Sequence, residues 1–379
     1  MVKKRQNKVI RVKNSAKHSQ KSISQNKSKP KSNSLGAYAL VTILVIVFVF
    51  ILVYSFSNLL KDEDAYKIST CGDGSFYNTC SITKPYMCEK GVLVERARFC
   101  GCPGGFSKNV DSCESQLNNG PKEIMIPYLL NENNHEINFK VYKGMYDLLS
   151  NESRFISYNG EEKPFRVDFK FKKINEDYQR AYLSDLVVKI QNLDSDKINQ
   201  ARIAISLVQN IEFGESEKRT VIGDNKSLSY SRYPYEVLYD GEGVCGEKSE
   251  LLVSLLRDLG YGTALFYNKA ENHEAVGIAC PVEESYWNSG YCFVETSGPS
   301  IISDDEINFI GNVKLTSKPE IMFISPGISL PKNLEEYSDA DELIKIRQKV
   351  EQGKNLNPSE RDTLDDLNAK YGLVEIYNA

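Results

Sequence analysis

One uncharged stretch constrains this chain more than any other feature of its sequence. No Asp, Glu, Lys or Arg lies between Lys31 and Lys61, and residues 37–54 are almost wholly apolar. A helix needs about 20 apolar residues to cross a bilayer, whereas a secretory signal has a shorter apolar region and a small-residue cleavage site, a pattern not seen here. The sequence therefore predicts one transmembrane helix within residues 36–60. A buried core helix is the alternative.

The charges that flank this segment predict its orientation. Of the 47 Lys and Arg residues, 11 lie in residues 1–35, where there is no Asp or Glu, which leaves 36 against 51 acidic residues in the rest. The positive-inside rule then makes residues 1–35 a cytoplasmic tail and everything after about residue 60 extracellular. The acidic body lacks the basic face that phosphate contacts require, so nucleic acid is excluded as its main partner. The lipid bilayer is the partner expected for residues 36–60.

Cysteine spacing predicts a stapled module over residues 61–118. Six of the nine cysteines lie in a Gly-, Asp- and Asn-rich stretch with little apolar periodicity: Cys71, Cys80, Cys88, Cys100, Cys102 and Cys113. In an oxidising compartment this density predicts three disulfides, whose pairing stays open. Zinc binding is the alternative, although the stretch has no Cys-x-x-Cys pair or nearby His. The segment 71–106 resembles small cysteine-rich modules of exported archaeal proteins.

Beyond this module the pattern predicts an α+β domain over residues 119–330 and a helical appendage over residues 331–379. Alternation at period two predicts strands at 136–142 and 165–171, and helical spacing predicts helices at 175–192, 196–211, 334–350 and 358–371. A further strand is expected at 321–325. The last two helices either pack on the core or form a separate surface for a partner.

Cys245 lies at the start of a predicted helix. A turn-rich segment, Asp240–Val244, precedes it, and leucines follow at helical spacing as far as Gly260. Peptide dipoles at a helix N-terminus present partial positive charge, which favours a thiolate and makes the sulfur a nucleophile. A small buried hydrophobic residue is the alternative interpretation of a lone cysteine, and the neighbouring glycines count against it.

A nucleophilic cysteine needs a base, and the chain beyond the predicted span contains two histidines, His135 and His273. His273 opens a segment of strand character. A neighbouring strand is predicted at Tyr291–Thr296, where Glu295 could orient the imidazole. His135 lies in a polar stretch, and we expect it at the surface.

In residues 201–299 the chain resembles the transglutaminase-like superfamily. The similarity lies in five pieces whose order and spacing are specific together: Ser206–Ile211, Tyr233–Leu238, Gly243–Ser249, His273–Gly277 and Phe293–Thr296. In that superfamily the third catalytic residue is usually Asp, and the residue after His is often aromatic. This chain has Glu295 and Glu274 at those positions.

The resemblance implies a papain-like core, in which the helix bearing the Cys packs on an antiparallel sheet, and acyl transfer through a thioester. Cys245 would be the nucleophile, His273 the general base and then acid, and Glu295 the carboxylate that orients it. The Cys245 N–H and the side-chain amide of Gln209 would bind the oxyanion, with a solvent-facing helix position as the alternative for Gln209. No cofactor or metal is expected, because the sequence contains no phosphate loop, EF-hand or His-rich motif.

The remaining two cysteines, Cys280 and Cys292, compete with this triad for the register of one hairpin. If they face each other directly, Glu295 lies opposite Gly277, about 13 Å along the strand from His273. If His273 faces Glu295 directly, the cysteines are four positions out of register. Because both fit only with a bulge, we expect the register of the triad rather than the disulfide. A disulfide here would leave Cys245 as the free thiol.

The sequence thus predicts a single-pass cell-membrane protein whose extracellular part is a transglutaminase-like cysteine enzyme acting on amide bonds. Peptide or amide hydrolysis is the first expectation, and protein cross-linking is the second, with a protein or peptide as substrate. Two alternatives come from other classes. One is a catalytically silent binding module, and the other is a structural anchor of the cell surface.

Overall fold

The chain is described by a computed structural model for residues 43, 45–52, 69–154, 156–160, 162–214, 218–222, 226–306 and 314–373, with backbone alone at 218–222 and 226–230. It divides into two units, Met1–Lys67 and Ile68–Ala379. In the first unit, residues 43 and 45–52 are helical and exposed. No helix among the described residues is long and apolar enough to cross a membrane. Most of the predicted span, residues 36–60, lies outside the described residues.

The cysteine-rich segment contains the three expected disulfides, which pair Cys71 with Cys88, Cys80 with Cys100, and Cys102 with Cys113. They join two small antiparallel hairpins and one turn of helix: β1 (Tyr86–Glu89), β2 (Val92–Glu95), α1 (Ala97–Cys100), β3 (Ser107–Asn109) and β4 (Ser112–Glu114). The segment also packs on the body of the protein, since Tyr86 Oη donates to Asp185 Oδ1 at 2.8 Å. The second unit therefore includes the stapled segment.

A long antiparallel hairpin follows, formed by β5 (Pro121–Leu130) and β6 (Asn133–Tyr142), and it confirms the strand predicted at 136–142. The chain continues into four helices: α2 (Lys143–Asn151), α3 (Arg166–Ile174), α4 (Asp177–Leu193) and α5 (Lys197–Gln209). The last two match the helices predicted from apolar spacing. Each of these begins at an acidic N-cap, Glu176 or Asp196, whose side chain accepts a backbone N–H of the first turn.

The strand predicted at 165–171 is wrong, because these residues belong to α3. The Asp168 carboxylate accepts the Phe165 N–H at 2.7 Å and so caps the helix. The alternating aromatic residues do not form its buried face, since Phe165 is 72% and Phe169 38% exposed. The buried face consists of Lys170, Lys173 and Ile174. Period two misled the prediction because α3 is buried through ion-paired lysines, which a hydrophobic pattern does not reveal.

The second half of the chain forms a four-stranded antiparallel sheet packed against a helix. The elements of this half of the chain are β7 (Glu212–Phe213), β8 (Lys218–Ile222), β9 (Lys226–Tyr230), α6 (Pro234–Asp240), β10 (Glu242–Gly243), α7 (Cys245–Asp258), β11 (Thr263–Asn268), β12 (His273–Ala279), β13 (Tyr291–Val294) and β14 (Glu320–Ser325), with short 3-10 turns at Val282–Glu284 and Tyr286–Asn288. The four-stranded sheet consists of β11, β12, β13 and β14. The strand order is β13-β12-β11-β14. Apolar residues of α7 share the main core with Leu265, Val276 and Ile278 of the sheet. The protein is thus a mixed α+β structure with several small sheets.

A fourth disulfide, Cys280–Cys292, staples the β12–β13 hairpin, contrary to the expectation. The observed register, with Ile278 opposite Cys292 and Val276 opposite Val294, lies midway between the register of directly opposed cysteines and that of a directly opposed His273 and Glu295. The two cysteines are therefore diagonal neighbours, and so are His273 and Glu295, which are displaced in the opposite sense. The Cα atoms of the two cysteines are 5.7 Å apart, and the side chains of diagonal neighbours in a hairpin are within reach of each other. The expectation failed because it assumed directly opposed pairs.

The two C-terminal helices, α8 (Glu335–Glu351) and α9 (Pro358–Tyr371), pack on the body of the unit. Arg347 of α8 forms a buried bidentate pair with Asp304, at 2.5 and 2.7 Å. Arg202 of α5 donates to both carboxylate oxygens of Glu336 at the start of α8. Of the two possibilities predicted for this appendage, packing on the core is the one observed.

Candidate active site

Cys245 is the first residue of α7, directly after the N-cap residue Val244. The Val244 N–H donates to Glu247 Oε2 at 3.1 Å, which closes the first turn of the helix. All nine cysteines lie among the described residues, and Cys245 alone is not in a disulfide; it is partly exposed. The structure thus places a free thiol at a capped helix N-terminus, where the helix dipole favours negative charge.

Arg232 holds the turn that presents Cys245. Its backbone N–H and its Nη1 donate to the two carboxylate oxygens of Glu247, at 2.6 and 3.1 Å. Its Nε donates to Asp240 Oδ2 at 2.9 Å, and its Nη2 donates to Glu242. One buried guanidinium therefore joins the end of α6, the short strand β10 and the first turn of α7. The sequence does not indicate this residue, because its role depends on three partners that come together only in the fold.

His273 joins the other two predicted catalytic residues. It begins β12 and is 7% exposed, and its Nε2 lies 2.8 Å from Glu295 Oε2. The imidazole also hydrogen-bonds the side chain of Cys245, for which Nδ1 is the remaining ring nitrogen. Burial lowers the pKa of His273, but the hydrogen bonds to Cys245 and Glu295 outweigh it and raise that pKa to about 10. The imidazole is consequently protonated at neutral pH.

Glu295 is completely buried just beyond the end of β13. Burial raises the pKa of its carboxyl, but the hydrogen bond and charge of His273 dominate and lower it. Its other oxygen, Oε1, accepts the Ser297 N–H at 2.7 Å. Both carboxylate oxygens are thus engaged, which fixes the orientation of the imidazole.

Hydroxyl groups connect the segment after β13 with the first turn of α7. Thr296 Oγ1 donates to the Cys245 carbonyl at 3.2 Å and lies 3.0 Å from Ser249 Oγ. These contacts connect the residue after Glu295 with the backbone of the nucleophile. The two elements that carry the candidate triad are therefore linked directly.

Gln209 takes a different place from the one expected of an oxyanion donor. Its side chain is buried, and Nε2 donates to the Glu295 carbonyl at 3.0 Å and to Ser300 Oγ and O at 3.1 and 3.3 Å. An amide nitrogen has two hydrogens, and these are directed to the Glu295–Ser300 segment. Gln209 therefore holds the backbone of Glu295 in place; it is neither solvent-facing nor directed at a developing oxyanion.

Glu274, the residue where the resemblance leads one to expect an aromatic side chain, belongs to a buried ion-pair network. Its Oε2 accepts from Lys170 Nζ and Arg166 Nη2 of α3, each at 2.8 Å. A Cβ at Gly246 would lie 2.5 Å from that oxygen, so any residue other than glycine after Cys245 would displace the Glu274 carboxylate. Lys170 Nζ also donates to Glu250 Oε1 of α7 at 2.6 Å, so the network brings α3, the start of β12 and α7 together.

The other histidine, His135, is exposed on β6 and stacks on Tyr128 with ring centroids 5.1 Å apart. This agrees with the surface position expected of it. In the described part of the chain, no group of three or more His, Cys, Asp or Glu residues is arranged to hold a metal ion. The groups that meet at the candidate site are a thiol, an imidazole and a carboxylate.

Comparisons with protein-family models, curated proteins and solved structures found no match to this chain. The geometry of the site consequently stands on its own. A free thiol at a helix N-terminus, a protonated imidazole in contact with it and a buried carboxylate that orients the ring can together perform nucleophilic acyl transfer.

Proposed function

We propose that this chain is a transglutaminase-like cysteine enzyme that acts on amide bonds through a thioester on Cys245. The observation that carries the proposal is the contact of His273 with both the Cys245 side chain and, at 2.8 Å, Glu295 Oε2. The order of the supporting elements agrees with a papain-like core, because the helix bearing the Cys packs on an antiparallel sheet bearing the His and the acid. Nucleophile, base and orienting group occur together in this arrangement.

In the first half of the reaction, the Cys245 sulfur attacks the carbonyl carbon of the amide as a thiolate, and the C–N bond breaks after the His273 imidazolium gives its proton to the leaving nitrogen. The oxyanion lies near the start of α7, whose first N–H groups have no carbonyl partner within the helix. The Cys245 N–H is the donor that we assign. Since Gln209 is engaged elsewhere, a second donor is not assigned.

In the second half, neutral His273 removes a proton from water, the oxygen attacks the thioester carbon, and the sulfur leaves as a thiolate. An amine in place of water would give a new amide bond and hence cross-linking. Hydrolysis is our first choice, because transamidation requires an amine to outcompete water. A protein or peptide is the proposed substrate of either reaction.

We also propose that this domain lies outside the cell, anchored by the apolar segment within residues 36–60. The four disulfides support an oxidising compartment. The basic tail of residues 1–35 supports a cytoplasmic N-terminus. A catalytically silent binding module is the rival from another class, because a fold can persist after turnover is lost.

Acyl-enzyme trapping tests the proposed activity. The full-length protein is incubated with a peptide library, quenched in acid and analysed by mass spectrometry for a thioester on Cys245. Free peptide acids as products indicate hydrolysis, whereas incorporation of an added fluorescent primary amine indicates transamidation. Cys245→Ser and His273→Ala should abolish both products, and His135→Ala, which changes the exposed histidine, should not. If the wild-type protein forms no more adduct or product than Cys245→Ser does, the proposed activity fails and the binding module is the remaining explanation.

A further inference from the structure

A buried lysine lies one helical turn after the nucleophile, and the mechanism above does not use it. Lys248 is fully buried on α7. Its Nζ donates to three backbone carbonyls, those of Ile211 at 2.6 Å, Gln209 at 3.3 Å and Ser297 at 3.4 Å. An ammonium group has three hydrogens, so its donors are matched by acceptors. Among the described residues, no carboxylate lies within ion-pair distance of Nζ.

The charges around Lys248 belong to the candidate active site. Burial lowers the pKa of Lys248 to about 8, and the negative charges of Glu295 and Cys245 oppose this shift. Below about that pH the amine is protonated. A thiolate on Cys245, the carboxylate of Glu295 and the imidazolium of His273 together have one excess negative charge. In a site largely removed from water such an excess is unfavourable unless a cation lies close.

We propose that Lys248 is a positioning residue of the proposed reaction, which supplies the second positive charge that balances Cys245 and Glu295 around His273. The three carbonyls hold the ammonium in place without neutralising it, whereas a carboxylate partner would cancel its field. The same bonds join α7 to the end of α5 and to the segment after Glu295. This inference rests on the proposed function, because it concerns the ionised state of the same site.

A purely structural role is the competing explanation, because three hydrogen bonds also stabilise the fold. Two neutral variants separate the explanations. Lys248→Met removes both the charge and the donors, and Lys248→Gln removes the charge but retains two donors. If Lys248 serves only to bridge segments, Gln should restore the wild-type behaviour. If the charge matters, Met and Gln should behave alike at the active site, whatever their stabilities.

The experiment measures the rate at which iodoacetamide alkylates Cys245 as a function of pH, with thermal unfolding followed in parallel. The proposal predicts that the acid limb of the profile moves about one pH unit upward in both Lys248→Met and Lys248→Gln, a loss of about tenfold in rate on that limb. Lys248→Arg, which retains a cation, should move the limb by less. The proposal is overturned if the acid limb of Lys248→Met and Lys248→Gln, where these variants fold, stays at the wild-type pH. It is also overturned if Lys248→Gln has the wild-type limb and Lys248→Arg does not.

A second measurement tests the proposal without any substitution at Lys248, in case those variants do not fold. The ¹⁵Nζ resonance of Lys248 is titrated in the wild-type protein and in Cys245→Ser. Loss of the thiolate should move the titration midpoint of Lys248 to lower pH, and an unchanged midpoint would contradict the proposal. The wild-type alkylation profile separates this failure from that of the proposed function. If wild-type Cys245 reacts as an ordinary thiol, the function fails; if it reacts as an ion pair and Lys248 has no influence, only this inference fails.

Discussion

At the level of single residues, His273 couples the charges of the candidate site. Its imidazole contacts a thiol on one side and a fully buried carboxylate on the other, and its pKa is raised to about 10. A raised pKa in the folded state means that protonation of His273 stabilises the protein. This contribution is fully present below the unfolded pKa, about 6.5, and is lost as the pH rises through about 10.

Stability against pH tests this linkage. We expect the free energy of unfolding of the wild-type protein to fall between about pH 6.5 and 10 more steeply than that of His273→Ala. Urea unfolding at a series of pH values measures both, with His135→Ala as the matched control whose curve should parallel the wild type. If the free energies of unfolding of wild type and His273→Ala differ by a constant amount over this interval, the pKa of His273 is not raised.

Gln209 offers a second test at the residue scale. Gln209→Ala leaves the Glu295 carbonyl and the Ser300 hydroxyl without their donor, so we expect it to lower the free energy of unfolding by about 1–3 kcal/mol. The rate of acyl-enzyme formation should fall by much less than the 10²–10³-fold typical of a lost oxyanion donor. Chemical denaturation and single-turnover kinetics measure the two effects. A rate loss of that full size in a stable variant would return Gln209 to the oxyanion site.

At the level of elements, the sequence predicts α4, α5, α7 and the strands around the triad, because their apolar residues follow regular periods. It does not predict α3, which is buried through Lys170 and Lys173 and their contacts with Glu250. It also does not settle the register of β12 with β13, because alternation determines which face a residue occupies but not its partner. Cys245, His273 and Glu295 are predictable from residue type and order. The sequence singles out Gln209 for a different role, and it does not indicate Arg232 or Lys248, because their carboxylate and carbonyl partners come together only in the fold.

Removing the disulfide of the β12–β13 hairpin tests whether the position of the catalytic pair depends on this bridge. Replacing both Cys280 and Cys292 with Ser removes a bridge between residues 12 positions apart. We expect the free energy of unfolding to decrease by about 2–4 kcal/mol. Alkylation of Cys245 should persist under conditions where the variant is folded, since the bridge and the catalytic pair are displaced in opposite directions along the hairpin. Loss of alkylation in a folded variant would show that the bridge sets the position of His273.

At the level of the whole molecule, four disulfides and a free cysteine coexist in one chain. The stapled segment contacts α4 through Tyr86 and Asp185, so it is part of the same compact unit as the candidate site. An oxidising exterior would support the bridges while Cys245 remains reduced. The proposed orientation follows from the 11 Lys and Arg residues within residues 1–35, on one side of the apolar segment.

Membrane topology tests that orientation. Single cysteines are placed for labelling in a Cys245→Ser background, one in the tail within residues 1–35 and one at exposed Val110. We expect a membrane-impermeant maleimide to label the Val110 site in intact cells and the tail site only after permeabilisation. Labelling of both before permeabilisation, or of the tail alone, would contradict the proposed anchor.

The central claim is that Cys245 is held ionised beside His273, and the pH profile of its alkylation is the most direct measurement. We expect Cys245 to react fast with iodoacetamide well below the pH at which ordinary thiols ionise. The rate at this low pH should fall in His273→Ala and stay unchanged in His135→Ala. Slow alkylation in the wild-type protein, with the pH profile of an ordinary exposed thiol and no response to His273→Ala, would contradict the claim.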